Sequence, residues 1–227
     1  MRLNKFLSVL ALIAGAAASG AAGASPTTTT FTAANQSLTE NYFYVIDGAT
    51  ISASIKYELT SLSSTDAIFM ISLANNSTGS GTNRLVSFGI DVIAPTLTGV
   101  SDNSGNWNTL INTNFPGFQQ VDFCAYAGPN CSGGAGGGLG VGLTDSFTVD
   151  MKSAFSGSVS FTSPFPTKWQ AVGLSGQSYE LDSCTANATG ANNCGGGPPV
   201  LIPEPGTLAL AGLALFGLGV IRRRTVS

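Results

Sequence analysis

The chain contains no histidine, so any side-chain chemistry has to come from carboxylates, cysteines or glycine-rich turns. Without imidazole there is no Ser-His-Asp or Cys-His nucleophilic site and no His-ligated metal centre. Paired carboxylates could still cleave a glycosidic bond. The candidates are Glu40, Glu58, Asp91, Asp122 and Glu180, but most of them alternate with apolar residues, the pattern of solvated strand faces. "SDNSGNWN" (101–108) puts oxygens at Asp102, Ser104 and Asn106 but lacks the Gly-x5-Glu continuation of a calcium loop, so it reads as an Asx-rich turn. "GGAGGGLGVG" (133–142) has no Lys-Ser/Thr after it and reads as a flexible loop rather than a phosphate cradle. Trp107, flanked by Asn106 and Asn108 in a polar stretch, is the candidate for stacking on a sugar ring, whereas Trp169 opens an apolar strand and belongs to the core. No catalytic residue, cofactor or metal is expected, and the protein is not expected to be an enzyme.

The four cysteines, Cys124, Cys131, Cys184 and Cys194, are the remaining reactive groups. Neither close pair has the two-to-four-residue spacing of structural zinc. An even count in an exported chain points to disulfides. Three pairings are possible; proximity favours Cys124–Cys131 and Cys184–Cys194, each closing a loop rich in Gly, Asn or Pro.

Strands are the elements that must position these residues. In "ATISASIKYEL", Ile51, Ala53, Ile55, Tyr57 and Leu59 alternate with Ser52, Ser54, Lys56 and Glu58, giving one apolar and one solvated face. "NYFYVI" precedes it, and Asp47-Gly48 between them is a hairpin signal. Further strands are expected at 67–74, 84–93, 95–101, 119–127, 145–151, 156–162 and 168–174, separated by Gly- and Asn-rich turns. No internal stretch combines helical periodicity with a cap. The expected fold is all-β, an antiparallel, jelly-roll-like β-sandwich over residues 25–184. Residues 185–201, rich in Gly, Asn and Pro, form a linker.

The two ends carry a different signal. Arg2 and Lys5, an apolar region from residue 6 to about 18, and the small residues Ala22-Gly23-Ala24 read as a signal peptide over 1–24, with the cluster 16–18 as an alternative cleavage site. Five of the nine basic residues lie in the end segments; between them stand four cations and eleven acids, a formal charge of −7. That excludes nucleic acid, whose phosphates need a basic footprint. At the other end, "IPEPGTLALAGLALFGLGVIRRRTVS" runs from 202 to 227, and residues 208–221 hold no polar side chain. As a helix they would reach ~21 Å. Thr207 and snorkelling arginine stems stretch this toward a ~30 Å hydrocarbon core, so a single transmembrane helix is expected over about 207–221. Arg222, Arg223 and Arg224 hold the C-terminus in the cytoplasm. The N-terminal signal sends the body to the opposite side.

This order of Pro203-Glu204-Pro205, apolar span and arginine cluster resembles the PEP-CTERM sorting signal of Gram-negative bacteria, with Ile202 where Val is common. The resemblance implies recognition by an exosortase, a membrane-embedded cysteine transpeptidase, for which Pro203, Glu204 and Pro205 would be recognition elements. It further implies a transient membrane intermediate and then the cell surface or extracellular matrix, in an exopolysaccharide or biofilm context with polysaccharide or other matrix proteins as partners. The segment 165–184 is also similar to the late strand of secreted sandwich domains carrying this tail. A proline-fixed extended stretch beside the membrane suits a protease substrate better than a permanent anchor, although a plain single-span anchor is the simpler alternative.

Overall fold

The computed structural model describes residues 27–134 and 136–184 and the backbone of Val200 and Leu201. The expected signal peptide, Cys194, Pro203, Glu204, Pro205, the helix at about 207–221 and Arg222, Arg223 and Arg224 lie outside the described residues. In chain order the strands are β1 (Thr28–Phe31), β2 (Ser37–Ile46), β3 (Ala49–Leu62), β4 (Asp66–Asn75), β5 (Thr78–Gly79), β6 (Gly81–Ala94) and β7 (Gly99–Asp102). They continue with β8 (Asn108–Asn114), β9 (Gln120–Tyr126), β10 (Thr144–Lys152), β11 (Val159–Thr162), β12 (Thr167–Val172), β13 (Gln177–Leu181) and β14 (Val200–Leu201).

The alternation in 49–59 produces β3, where Ile51, Ile55, Tyr57 and Leu59 are fully buried. Its hairpin partner β2 is joined through Asp47 and Gly48, with φ of 48° and 78°, and Ile46 stands opposite Ala49. Two residues of positive φ give a turn whose twist matches the flanking strands. The Asp47 carboxylate accepts the Ser175 N–H at 2.6 Å, which docks the hairpin tip on the β12–β13 turn. The first sheet runs β2-β3-β4-β10-β7, with β5 added to β3.

The second sheet is organised around β6. On one edge β6 pairs with β9, which pairs with β8. On the other edge β11 pairs with Asp91, Val92 and Ala94, and β12 pairs with 81–88. β11 and β12 therefore act as one interrupted strand along β6, and outside them lie β1 and β13 respectively, with β14 on β13. All these pairings are antiparallel.

Aromatic rings from the two sheets interlock in the core. Phe31 and Phe161 of the second sheet meet Phe69 of the first at centroid distances of 5.1 and 4.9 Å, and Tyr57 meets Phe161 at 5.8 Å. The architecture is the expected β-sandwich. Burial of each such ring stabilises the fold by roughly 1.5–3 kcal/mol.

Some elements differ from the sequence expectation. Of 95–101 only the end is strand, β7, because the chain must first cross from the sheet of β6 to the sheet of β10. β8 escapes a periodicity reading: in "NTLINTN" no residue is buried, since β8 is an edge strand pairing only with β9. The linker also loses its last two residues to β14, which adds to β13.

A small second cluster of Phe115, Val121, Cys124 and Cys131 forms outside the sandwich. Here the β8–β9 hairpin folds over Gly89 of β6, where a Cβ would sit 3.1 Å from the Val121 side chain. Cys124 and Cys131 are bonded to each other, and the Cys131 carbonyl accepts the hydroxyl of buried Ser87 at 2.8 Å. Cys184 is also disulfide-bonded. Its N–H reaches the Asn41 carbonyl at 2.6 Å, tying the end of the sandwich to β2.

Candidate functional site

Strand alternation turns Leu85 into the core, so Arg84 faces the other way, and its Cα partner across the ladder is Gln170 of β12. Three segments meet over Arg84: residues 136–140 of the glycine loop, the turn at Asn106 and Trp107, and 143–145 leading into β10. They enclose a cavity of about 550 Å³ lined by Arg84, Asn106, Trp107, Asp145 and the backbone of 136–140. A second hollow of about 360 Å³ shares Arg84 and Gly136 and adds Thr82, Gln170 and Ser178.

The loop expected to be flexible is packed. Leu139 exchanges backbone hydrogen bonds with Leu85 at 3.2 and 2.8 Å. Fully buried Asn75 donates through Nδ2 to the carbonyls of Leu139 and Asn83, both at 2.8 Å. Glycine is what allows this approach: a Cβ on Gly137 would lie 1.6 Å from the Ala127 carbonyl oxygen. With its amide turned to satisfy both ends, Gln170 donates to the Gly134 carbonyl at 2.7 Å and accepts its N–H at 2.9 Å. Asn75, Gln170 and Arg84 escaped the sequence reading. The unpaired charge of Arg84 was visible only as one of four body cations.

Trp107 is not an exposed sugar platform. It is 3% exposed, stacked on Phe147 at 6.0 Å with 12° between the ring planes, and edge-on to Phe88 at 5.5 Å. Its flanking asparagines are polar because they flank a core anchor, whose apolar face the sandwich takes for itself. At the cavity wall its Nε1 donates to Asp145 Oδ2 at 3.1 Å. Asn106 donates to the same oxygen at 3.3 Å, and the Ser146 N–H donates to Oδ1 at 2.8 Å. Asp145 is thereby held as an acceptor at the cavity wall. The neighbouring turn is Asx-like: Asp102 Oδ1 accepts the Ser104 N–H at 3.0 Å, and Ser104 Oγ accepts the N–H groups of Asn106 and Trp107.

The candidate carboxylates separate by environment. Glu58 pairs with Lys56, and Glu180 pairs with Lys168 in a buried cross-strand ion pair. Asp91 and Asp122 are brought together: Asp122 Oδ2 accepts the Val92 N–H at 2.8 Å, and Asp91 accepts the Asp122 N–H. Burial and the nearby Asp122 charge push the Asp91 carboxyl up. Glu40 is buried beside Asp182; burial, reinforced by the Asp182 charge and partly offset by a Ser183 hydrogen bond, raises it to about 7. Asp182 is itself raised by burial, while Oδ1 accepts the N–H groups of Phe165 and Ser183 at 2.8 Å. Lys152 bridges Asp66 and Asp150. Among the described residues Arg84 is the one cation without an ion pair, and no group of His, Cys, Asp or Glu is arranged to hold a metal. No helix among them is long and apolar enough to cross a membrane.

Beyond this cleft the chain leads through β14 to its C-terminal segment, and residues 201–224 match the model of the PEP-CTERM protein-sorting motif. The chain carries a PEP-CTERM sorting motif. The PEP-CTERM motif marks an exported protein that an exosortase sorts, taken through the membrane to the cell surface. Leu201 is at once the first residue of the PEP-CTERM match and the last of β14, opposite Tyr179. No curated protein matches the chain. Among solved structures, an uncharacterized protein from Nocardia farcinica with an immunoglobulin-like fold is similar at 14% identity and a TM-score of 0.32, over 62% of this chain and 91% of that one. That likeness is too distant to add to the fold, which the strand pairing defines.

Proposed function

We propose that the protein is a non-catalytic structural or adhesive component of an exopolysaccharide or biofilm matrix, delivered there by its PEP-CTERM motif. The observation that carries this reading is the motif at 201–224 adjoining a disulfide-braced sandwich. On this reading the precursor is held in the inner membrane by the helix at about 207–221 while Pro203, Glu204 and Pro205 are presented to the exosortase. The tail is then removed and the sandwich passes to the surface. Support for a non-catalytic role comes from the carboxylates: Glu58 and Glu180 are paired with lysines, and Asp91 and Asp122 each clasp a backbone N–H across strands. These are bracing roles, which is what favours the structural reading of these four carboxylates.

Replacing Pro203, Glu204 and Pro205 together by alanine and fractionating the cells tests the sorting step. The expected outcome is retention of an uncleaved precursor in the membrane, and wild-type placement of the variant would contradict it. Turnover of exopolysaccharide by the purified protein, lost in Asp91→Asn with folding intact, would instead establish a carbohydrate-active enzyme.

A further inference from the structure

Among the described residues, three of the four cations are neutralised by carboxylates, and Arg84 is not. In a domain with an acidic excess, a half-buried guanidinium that lines a cleft without a carboxylate partner is available to an anionic ligand. Its surroundings are built with care. Gln170 and the glycine loop are locked together beside it, and Asn75 fixes the loop from inside. Arg84 borders two hollows that share Gly136, so a ligand longer than one ring can lie along them with its charge at the shared residue. The hollow on the Gln170 side has no carboxylate in its wall. The larger one has Asp145, whose oxygens already accept three hydrogen bonds and present the remaining acceptor capacity to a donor such as a sugar hydroxyl. The linings mix polar side chains and glycine backbone with Leu139, Leu143 and Trp107, which suits a sugar, polar at its hydroxyls and apolar on its C–H face.

We propose that Arg84, with Thr82 and Gln170 on one side and Asn106 and Asp145 on the other, forms a binding groove for an acidic polysaccharide, the guanidinium taking a uronate carboxylate in its planar fork. A carboxylate accepts two parallel N–H bonds from such a fork, and a lysine cannot reproduce that geometry. This deepens the matrix reading above and rests on it for the ligand's source, but its test does not depend on sorting.

The full-length protein, solubilised in detergent, is titrated with oligogalacturonate, with maltohexaose as a neutral comparator and polyglutamate as an acidic peptide. Oligogalacturonate is expected to bind in preference to both. Arg84→Gln should weaken it by at least about tenfold and Arg84→Lys by a smaller factor, while Lys56→Gln should leave it unchanged. Arg84→Lys keeps the charge and serves as the folded control, with thermal unfolding measured for each variant. The proposal is overturned if the wild type does not bind oligogalacturonate, if either comparator binds as tightly, or if Arg84→Lys and Arg84→Gln both retain wild-type affinity. Loss of binding with normal surface placement would remove the ligand and leave the matrix reading intact. Misplacement of the Pro203-Glu204-Pro205 variant bears on sorting alone.

Discussion

Glu40 shows what one buried carboxyl does to the pH dependence of this fold. Its inward position on β2, alternating in step with Tyr42 and Tyr44, is dictated by strand period rather than by polarity. The folded protein holds it protonated up to about 7, against 4.5 for the ordinary group. Below 4.5 both folded and unfolded chains carry the proton, so burial of the neutral form has no pH-linked penalty there. Between 4.5 and 7 the unfolded chain releases the proton while the folded one keeps it, so stability falls as pH rises, by up to about 3 kcal/mol. Asp182, also raised, acts in the same direction. Asp66 acts in reverse: Lys152 holds its carboxyl at about 2, so that contribution is present above its ordinary value of 3.8 and disappears as pH falls toward 2. Urea unfolding across pH 4 to 8 is expected to show this decline in the wild type and a flatter profile in Glu40→Gln. Parallel profiles would contradict the assignment.

Among the elements, the edge strand β8 and the loop after β9 are weakly supported by the main core, although β9 itself places Phe123 and Ala125 in it. Their own cluster is small, β8 has no buried side chain, and the Cys124–Cys131 bridge closes the loop across a separation of 7 residues. A bridge of this kind contributes about 2–3 kcal/mol on a chain-entropy account. Replacing both cysteines by serine should therefore loosen the hairpin locally and leave the sandwich folded. Hydrogen exchange is expected to accelerate in residues 108–126 and remain slow in β3 and β4. Uniform acceleration across both sheets would mean that the bridge supports the whole domain. The Gln170–Gly134 clasp lies just beyond the same loop, so the cleft over Arg84 should open in that variant too.

For the molecule as a whole, export and folding are linked by compartment. The Cys124–Cys131 bond suits an oxidising environment, and the PEP-CTERM motif places the chain among exported proteins. The sheet edge at β13 receives Val200 and Leu201, so the sandwich is paired with the chain up to the very start of the motif. Mass spectrometry of the protein recovered from the cell surface is expected to find Ser25 at the N-terminus and Arg222, Arg223 and Arg224 absent. A full-length product in that fraction would mean that the tail serves as an anchor.

The sequence alone determined the strands with a clean two-residue period, the Asp47-Gly48 hairpin, the core position of Trp169 and the sorting motif, because each is encoded in one continuous stretch of the chain. Only the tertiary structure decided that Trp107 is sealed against Phe147, that Asp91 meets Asp122, that Leu139 of the glycine loop pairs with Leu85 and that Arg84 is left without a counter-charge. Those facts depend on which strands lie side by side in two packed sheets. Contacts between residues as distant in the chain as Asn75 and Leu139 are set by strand order and packing, which local alternation of polar and apolar side chains does not specify.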